Sequence, residues 1–372
     1  YNSLNLHKEE LSGQASGYGF YRDNQPFETG KMIRRPQLGK TLEFLKKNGL
    51  EYFYDSDITK SISSSVNGIL SYDDLKNFKA EWKKPLHSKI YGFDGWTSPP
   101  STQGYLTLST LKAIEMLGTE HDDLHGIIET YRIFAADRDN ITYDYGKNIK
   151  DFKGVDLDYI QEKIKLFNPN HSEKFDFPKP RGGGTAYMNT VDKNGLGVSL
   201  IQSNFHGIGS RIGVGSFGFF LHNRGCGFNL DSGHPNYLTP GRKPLHTLSP
   251  TIWSKNGNLE FIAGTRGGRY QPQLLIQTIL PYIQKSDSFE EIIKEPRWVI
   301  ENFSNDTLSK LRFEKINNED LKILLQKGHE VEVENKFNKA YGPISIIYKK
   351  NDGNFEGVCD VRVGTEKVFN SF

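Results

Sequence analysis

Cysteine is nearly absent from this chain: Cys226 and Cys359 are the only two. A disulfide framework and a CxxC zinc pair are both excluded, and two lone thiols fit a reducing or an oxidising compartment alike. An excess of charge of one sign is also missing. With 47 Lys and Arg against 45 Asp and Glu, the net charge is +2, so neither nucleic acid nor a membrane surface is expected as a partner. No apolar run approaches the ~18 residues of a membrane span. The longest, "LLIQTILPYI" (Leu274–Ile283), reads as a buried helix. No signal-like segment opens the sequence, which starts at Tyr1 in ordinary polar text. The expectation is a processed product or the ordered part of a longer polypeptide, its compartment unknown, with the cytoplasm slightly favoured. Neither an internal repeat nor a low-complexity tract is present.

What remains is the composition of a soluble globular protein, 36% hydrophobic and 25% charged. Its 372 residues suffice for one large domain or two ordinary ones with a sizeable core. The first half reads as mostly helical. "LGKTLEFLKKNG" (Leu38–Gly49) spaces Leu38, Leu42 and Leu45 along one face and stops at Gly49. "SPPSTQGYLTLSTLKAIEML" is a Pro/Ser turn followed by a helix through about Met116. "DDLHGIIETYRIFAADRD" reads as a long amphipathic helix and "DYIQEKIKLF" as another.

Polar, Pro-rich text from Asn168 to Pro180 ends in Gly182–Gly184, and the style changes there. "TAYMNTVD" and "GVSLIQS" are strand-like runs joined by "KNG", a hairpin signal. Further strand-like pieces are "FGFFLHN", "SPTIWS", "NGNLEFIAG" and "GPISIIYKK", with helices at Gln273–Gln284 and Asp320–Gly328. Helices followed by strands suggest an α+β layered domain, with helices covering a largely antiparallel sheet.

Several candidates for chemistry are bland. "GVGSFG" (Gly213–Gly218) matches GxGxxG, but strand-like text follows it and no helix begins, so a glycine-rich loop is the better reading than a dinucleotide site. His206, His222, His234 and His246 lack metal-ligand spacing, and no metal or cofactor is expected. "AGTRGGRY" (Ala263–Tyr270) leads from a strand into a helix. Its consecutive glycines expose N–H groups that can hold an anion or an oxyanion, or simply make a tight connection. In "PRGGGTAYM", Thr185 follows three glycines. A threonine made N-terminal by cleavage carries its own base, because a free α-amino group has a pKa of about 7.7–8.0. Glycine's freedom at positive φ eases the contorted approach that self-cleavage requires. A linker entering a strand is the alternative.

Text in order along the chain resembles the γ-glutamyltransferase (γ-glutamyl transpeptidase) family. "NGILSYDDLKNF" is similar to that family's "GG-LT-DL-Y", "SPPSTQG" to its "PPPS-GG", and "TAYMNTVDKNGLGVSLIQS" to "TTHYSVVDxxGNAVS". "GRKPLHTLSPTI" resembles "xKRPLSSMSPTI", "GTRGG" resembles "GSPGG", and "CDVRVG" resembles "DPR-DG". The resemblance implies an N-terminal-nucleophile hydrolase with a four-layer αββα sandwich. It also implies a precursor cut into two associating segments, here 1–184, mostly helical, and 185–372, strand-rich, both forming one αββα unit. Thr185 would be the nucleophile and Gly184–Thr185 the scissile bond. Ser203 would be a second hydroxyl orienting the nucleophile, Asn204 a nearby substrate-binding residue, and Gly267 and Gly268 the glycine pair beside the oxyanion.

The departures concern the amino-acid clamp. Where the family holds the substrate ammonium with an Asp three residues after a Gln, this chain has Arg224 and Gly227. The family's Ser–Ser pair for the α-carboxylate is His246–Thr247 here, and the lid text before "GRKPL" is short. Arg224 would repel an ammonium and suit a carboxylate. The expected activity is therefore amidohydrolase and acyltransferase, with hydrolysis favoured over transpeptidation. The substrate is a small-molecule amide, either a γ-glutamyl amide such as glutathione or a dicarboxylic half-amide, as in cephalosporin-acylase-like and oxamate-amidohydrolase-like branches. A non-catalytic binding relative and a nucleotide-binding oxidoreductase are the competing classes, and a homodimer is left open.

Overall fold

The computed structural model describes residues 2–175, 184–300, 310–364 and 368. They divide into two compact units, one of residues 1–82 with 203–224 and one of 83–202 with 225–372.

In the first unit, helices α1 (Asn2–Leu6) and α2 (Lys8–Leu11) precede the small hairpin of β1 (Tyr21–Arg22) and β2 (Gln25–Pro26). Helices α3 (Pro36–Asn48), α4 (Asp57–Ser65) and α5 (Tyr72–Asn77) follow. Gly49 ends α3 at φ 115°, as its position in the sequence predicts. The core gathers Leu45, Ile58, Ile62 and Val214, with Phe53, Leu75, Phe217, Phe219 and Leu221 packed against it. Leu42 points to solvent, and Thr41 takes its expected place in the buried stripe.

"FGFFLHN" is not the expected strand. Apart from a single bridge between Gly213 and Phe220, its stretch runs as a loop. Side chains take the carbonyls that a strand partner would: Ser16 Oγ donates to Gly215 O (3.0 Å), Thr41 Oγ1 to Phe217 O (2.8 Å) and Arg35 to Gly218 O. Aromatic residues there fill a core rather than a pleat. The GxGxxG match lies in this loop, and no helix follows it.

The second unit is built on a six-stranded antiparallel sheet, edge to edge β13 (Phe355–Cys359), β12 (Ile344–Lys349), β8 (Asn258–Thr265), β7 (Thr251–Lys255), β4 (Phe93–Thr97) and β3 (Leu86–Ile90). The β3–β4 pair departs from the helical expectation for the first half. Its two-residue turn is Tyr91 (φ 49°) and Gly92 (φ 81°), the left-handed pair that a tight hairpin needs. Helices α6 (Tyr105–Leu117), α7 (Leu124–Ile141), α8 (Leu157–Ile164) and α9 (Gln271–Lys285) cover one face. The core between them holds Leu108, Trp253, Phe261, Ile279 and Phe289, with the Trp253 and Phe261 rings stacked at 5.5 Å. Helix α7 is buried almost all round from His125 to Ala135 rather than amphipathic, because other helices and a polar segment enclose it.

The opposite face carries the hairpin of β5 (Gly184–Val191) and β6 (Gly197–Phe205), so helices, sheet and sheet stack in that order. Alternation sends Tyr187 and Asn189 inward and leaves Met188, Val198 and Leu200 exposed. The hairpin's turn is held by Asp192 Oδ1, which accepts from Asn194 N and Leu196 N, both at 2.8 Å. A smaller sheet, β11 (Glu330–Val333), β10 (Lys310–Phe313) and β9 (Trp298–Ile300), with helices α10 (Phe289–Ile292) and α11 (Asn318–Gln326), completes the unit.

Candidate active site

The centre of the second unit is the turn that leaves β8. Gly267 has φ +124° and Gly268 φ +59°, a pair of conformations that a side chain would oppose. Gly267 O accepts from Tyr270 N at 3.1 Å, and Gly268 O accepts from Gln271 N as α9 begins. Among the described residues, no other backbone group takes the N–H of Gly267 or Gly268. Backbone N–H donors beside a helix start are what a developing negative oxygen needs.

The His246–Thr247 loop lies against the start of α6. His246 N donates to Ser101 O at 3.0 Å, and Gln103 N donates to His246 O at 3.3 Å. Ser249 N donates to Gln271 Oε1 at 3.0 Å, so the same loop is tied to α9. Gly104 is required here: a Cβ would fall 2.2 Å from Thr97 Oγ1.

Thr185 is half-buried, the second residue of β5, on the face that looks at the large sheet. Asn189 Nδ2 reaches Ile262 O at 3.4 Å and Ser345 O at 3.2 Å. Two residues earlier, the Tyr187 ring covers Gly264. β5 thus runs antiparallel over β8, with Thr185 two residues before Tyr187 on the same face. Gly184 opens β5, while the expected glycines at 182 and 183 lie outside the described residues.

The remaining expected residues divide between the units. Ser203, Asn204 and Arg224 belong to the first. Ser203 Oγ accepts from Phe205 N at 2.9 Å, and Asn204 O from Asn223 N at 3.1 Å. The Arg224 guanidinium lies 5.0 Å from the Phe205 ring centre. Both of its terminal nitrogens are buried without a hydrogen-bond partner among the described residues. Burial pulls its pKa down to about 10, which leaves it charged at neutral pH and short of an anion. Gly227, in the second unit, faces Leu245 O so closely that a Cβ would come within 2.2 Å of it. An aspartate side chain has no room there with this backbone. Of the four histidines, His206 stacks on Phe205 at 4.1 Å. No group of three possible metal ligands occurs among the described residues.

Sequence reasoning missed the support behind the turn. Gln103 Nε2 donates to Gly268 O (2.9 Å) and to Thr247 O (3.1 Å), and Arg138 donates to Gln103 Oε1 (2.9 Å). Arg138 also pairs with Asp139, which lies 3.7 Å from Arg269. Burial opposes the Asp139 carboxylate, yet the Arg138 and Arg269 guanidiniums outweigh it and hold its pKa below the usual carboxylate value. The available signal was Gln103 itself, standing where "PPPS-GG" has glycine.

The sequence model of the gamma-glutamyltranspeptidase family matches residues 3–369. The chain is 29% identical over 349 residues to a glutathione hydrolase-like YwrD proenzyme of Bacillus subtilis, covering 90% of this chain and 65% of that protein. It is 30% identical to an oxamate amidohydrolase proenzyme of Klebsiella pneumoniae, again covering 90% and 65%. It therefore spans about 65% of the length of these curated relatives. Among solved structures, a cephalosporin acylase from Bacillus halodurans superposes with a TM-score of 0.84 at 24% identity, covering 97% of this chain and 68% of that one, a likeness of fold. The chain belongs to the gamma-glutamyltranspeptidase family, and its fold is the α+β sandwich of that family.

Proposed function

From that membership we propose that the chain is the nucleophile-bearing part of a self-processing amidohydrolase whose nucleophile is an N-terminal threonine. The observation that supports this reading is the packing of β5 over β8, with Asn189 at Ile262 O and the Tyr187 ring on Gly264, two residues from Thr185. Cleavage between Gly184 and Thr185 frees the threonine α-amine. That amine takes the hydroxyl proton as Oγ attacks the substrate's amide carbonyl. The N–H groups of Gly267 and Gly268 hold the resulting oxyanion. The tetrahedral intermediate collapses, the C–N bond breaks, and the proton passes from the α-ammonium to the departing amine. Water then adds to the acyl-enzyme, gives its proton to the same amine, and releases the carboxylic acid and the threonine hydroxyl. His246 and Thr247 bind the acyl group in this scheme.

Arg224, standing where the family has a glutamine, suits an acyl group that carries a carboxylate. Both a γ-glutamyl amide and a dicarboxylic half-amide meet that requirement. The closed space at Gly227 favours the half-amide, because it leaves no room for an aspartate to receive an α-ammonium. Hydrolysis is the favoured outcome, since the lid text is short and an amine acceptor has correspondingly little to bind it.

The reading is tested on the full-length protein with glutaryl-p-nitroanilide and γ-glutamyl-p-nitroanilide. A higher kcat/KM for the glutaryl compound is expected. A clear preference for the γ-glutamyl compound would overturn the substrate assignment, and failure to turn over any amide after processing would overturn the enzyme assignment.

A further inference from the structure

Two consecutive glycines make a poor platform for catalysis by themselves. They free the backbone to adopt φ +124° and +59°, but no side chain holds it there. Oxyanion donors act well only when they are fixed before the reaction. Something outside the turn must hold its peptide planes.

Gln103 meets that need. It is fully buried at the start of α6. One amide nitrogen donates to Gly268 O and Thr247 O, at 2.9 and 3.1 Å. Its orientation is unambiguous, because Oε1 faces Arg138, whose guanidinium only donates. Arg138 is itself 4% exposed and neutralised by Asp139. A buried cation is thus committed to holding one neutral side chain, at the desolvation cost that any buried charge carries. Gln103 fixes the Gly268–Arg269 peptide through Gly268 O, directly behind the two donor planes, while Tyr270 N holds the Gly267–Gly268 plane at Gly267 O and Thr265 Oγ1 holds the Arg266–Gly267 plane at Arg266 O (3.0 Å). The same nitrogen holds the Thr247 carbonyl, so the turn and the loop proposed to bind the acyl group cannot move apart independently.

We propose that Gln103, backed by Arg138 and Asp139, is a positioning residue that locks the oxyanion turn to the His246–Thr247 loop at one spacing. The proposal rests on the N-terminal-threonine reading for its catalytic consequence, though not for the lock itself. Gln103→Glu preserves size and the Arg138 contact while turning an acceptor oxygen toward two carbonyls. Gln103→Met preserves approximate volume and removes both donors.

The experiment compares the processed wild-type enzyme with both variants. It measures kcat and KM on glutaryl-p-nitroanilide, melting temperature, and amide hydrogen exchange across residues 264–271. The lock predicts a kcat lower by about 100-fold, the size that a small misplacement of reacting groups can cost, with KM within threefold and faster exchange in that segment. Wild-type kcat with unchanged exchange in either folded variant would overturn it. So would a loss of kcat that merely tracks melting temperature while exchange at the turn stays slow. If the wild-type enzyme hydrolyses no amide, the functional reading fails separately, and the exchange measurement still decides the lock: faster in the variants upholds it, unchanged overturns it.

Discussion

The ring of Tyr187 lies on Gly264, so close that a Cβ at residue 264 would come within 2.0 Å of two ring carbons. This contact holds β5 against β8, two residues from Thr185. Gly264→Ala must displace the ring or the strand. Overpacking of this kind costs about 1–3 kcal/mol, so a lower melting temperature and slower self-cleavage are expected together. Tyr187→Phe keeps the ring and loses the hydroxyl's bonds to Ser199 (2.8 Å) and Asn189, about 1 kcal/mol each. Cleavage of that variant at the wild-type rate is expected on denaturing gels. Normal processing in Gly264→Ala would show that the contact does not set the position of Thr185.

Gly227→Asp tests whether the ammonium grip can be restored by one residue. The Cβ would meet Leu245 O at 2.2 Å. The expected result is lower thermal stability and no gain in kcat/KM for γ-glutamyl-p-nitroanilide relative to glutaryl-p-nitroanilide. A stable variant with a γ-glutamyl preference would mean that the loop accommodates the side chain and that residue identity alone set the specificity.

Two buried histidines make stability depend on pH. His125 Nε2 lies 2.9 Å from Asn168 O and so carries a proton, which leaves Nδ1 to accept from His329 Nε2 at 2.8 Å. Both rings are therefore neutral, amid Asp123, Glu129, Arg132 and Lys327. Burial pushes the His329 pKa down to about 3 and lowers that of His125 as well. In the unfolded chain each ring titrates near 6.5. The folded state then binds fewer protons below that pH, so this stability is complete above about 6.5 and is lost as the pH falls, at up to about 1.4 kcal/mol per pH unit per ring. Melting temperatures between pH 6.5 and 5 are expected to fall less steeply in His329→Gln than in wild type. Parallel slopes would contradict the assignment.

The legible parts of the sequence were those where one local rule agreed with the tertiary context. Gly49 ends its helix, "KNG" turns the β5–β6 hairpin, and the apolar run at Leu274–Ile283 is a buried helix. The β3–β4 hairpin was missed because Ser88, Gly95 and Thr97 stand at buried positions where alternation calls for apolar residues, although Tyr91–Gly92 is a workable two-residue turn. "FGFFLHN" misled in the opposite direction: its aromatic residues have strand propensity, but side chains from far along the chain take the Phe217 and Gly218 carbonyls. At the site, residues with intrinsic chemistry were visible, Thr185 and the glycine pair among them. Gln103 was not, since its role lies wholly in contacts with Gly268, Thr247 and Arg138, none of them near it in sequence.

Thr185 becomes the N-terminal nucleophile of its own fragment in the proposed scheme, and intact mass spectrometry of the full-length protein, fresh and after incubation, decides whether it does. A fragment whose N-terminus is Thr185 is expected, and a Thr185→Ala protein that folds, stays in one piece and hydrolyses no amide. A wild-type chain that stays uncut and inactive, or a Thr185→Ala chain that is still cut at Gly184, would contradict the scheme.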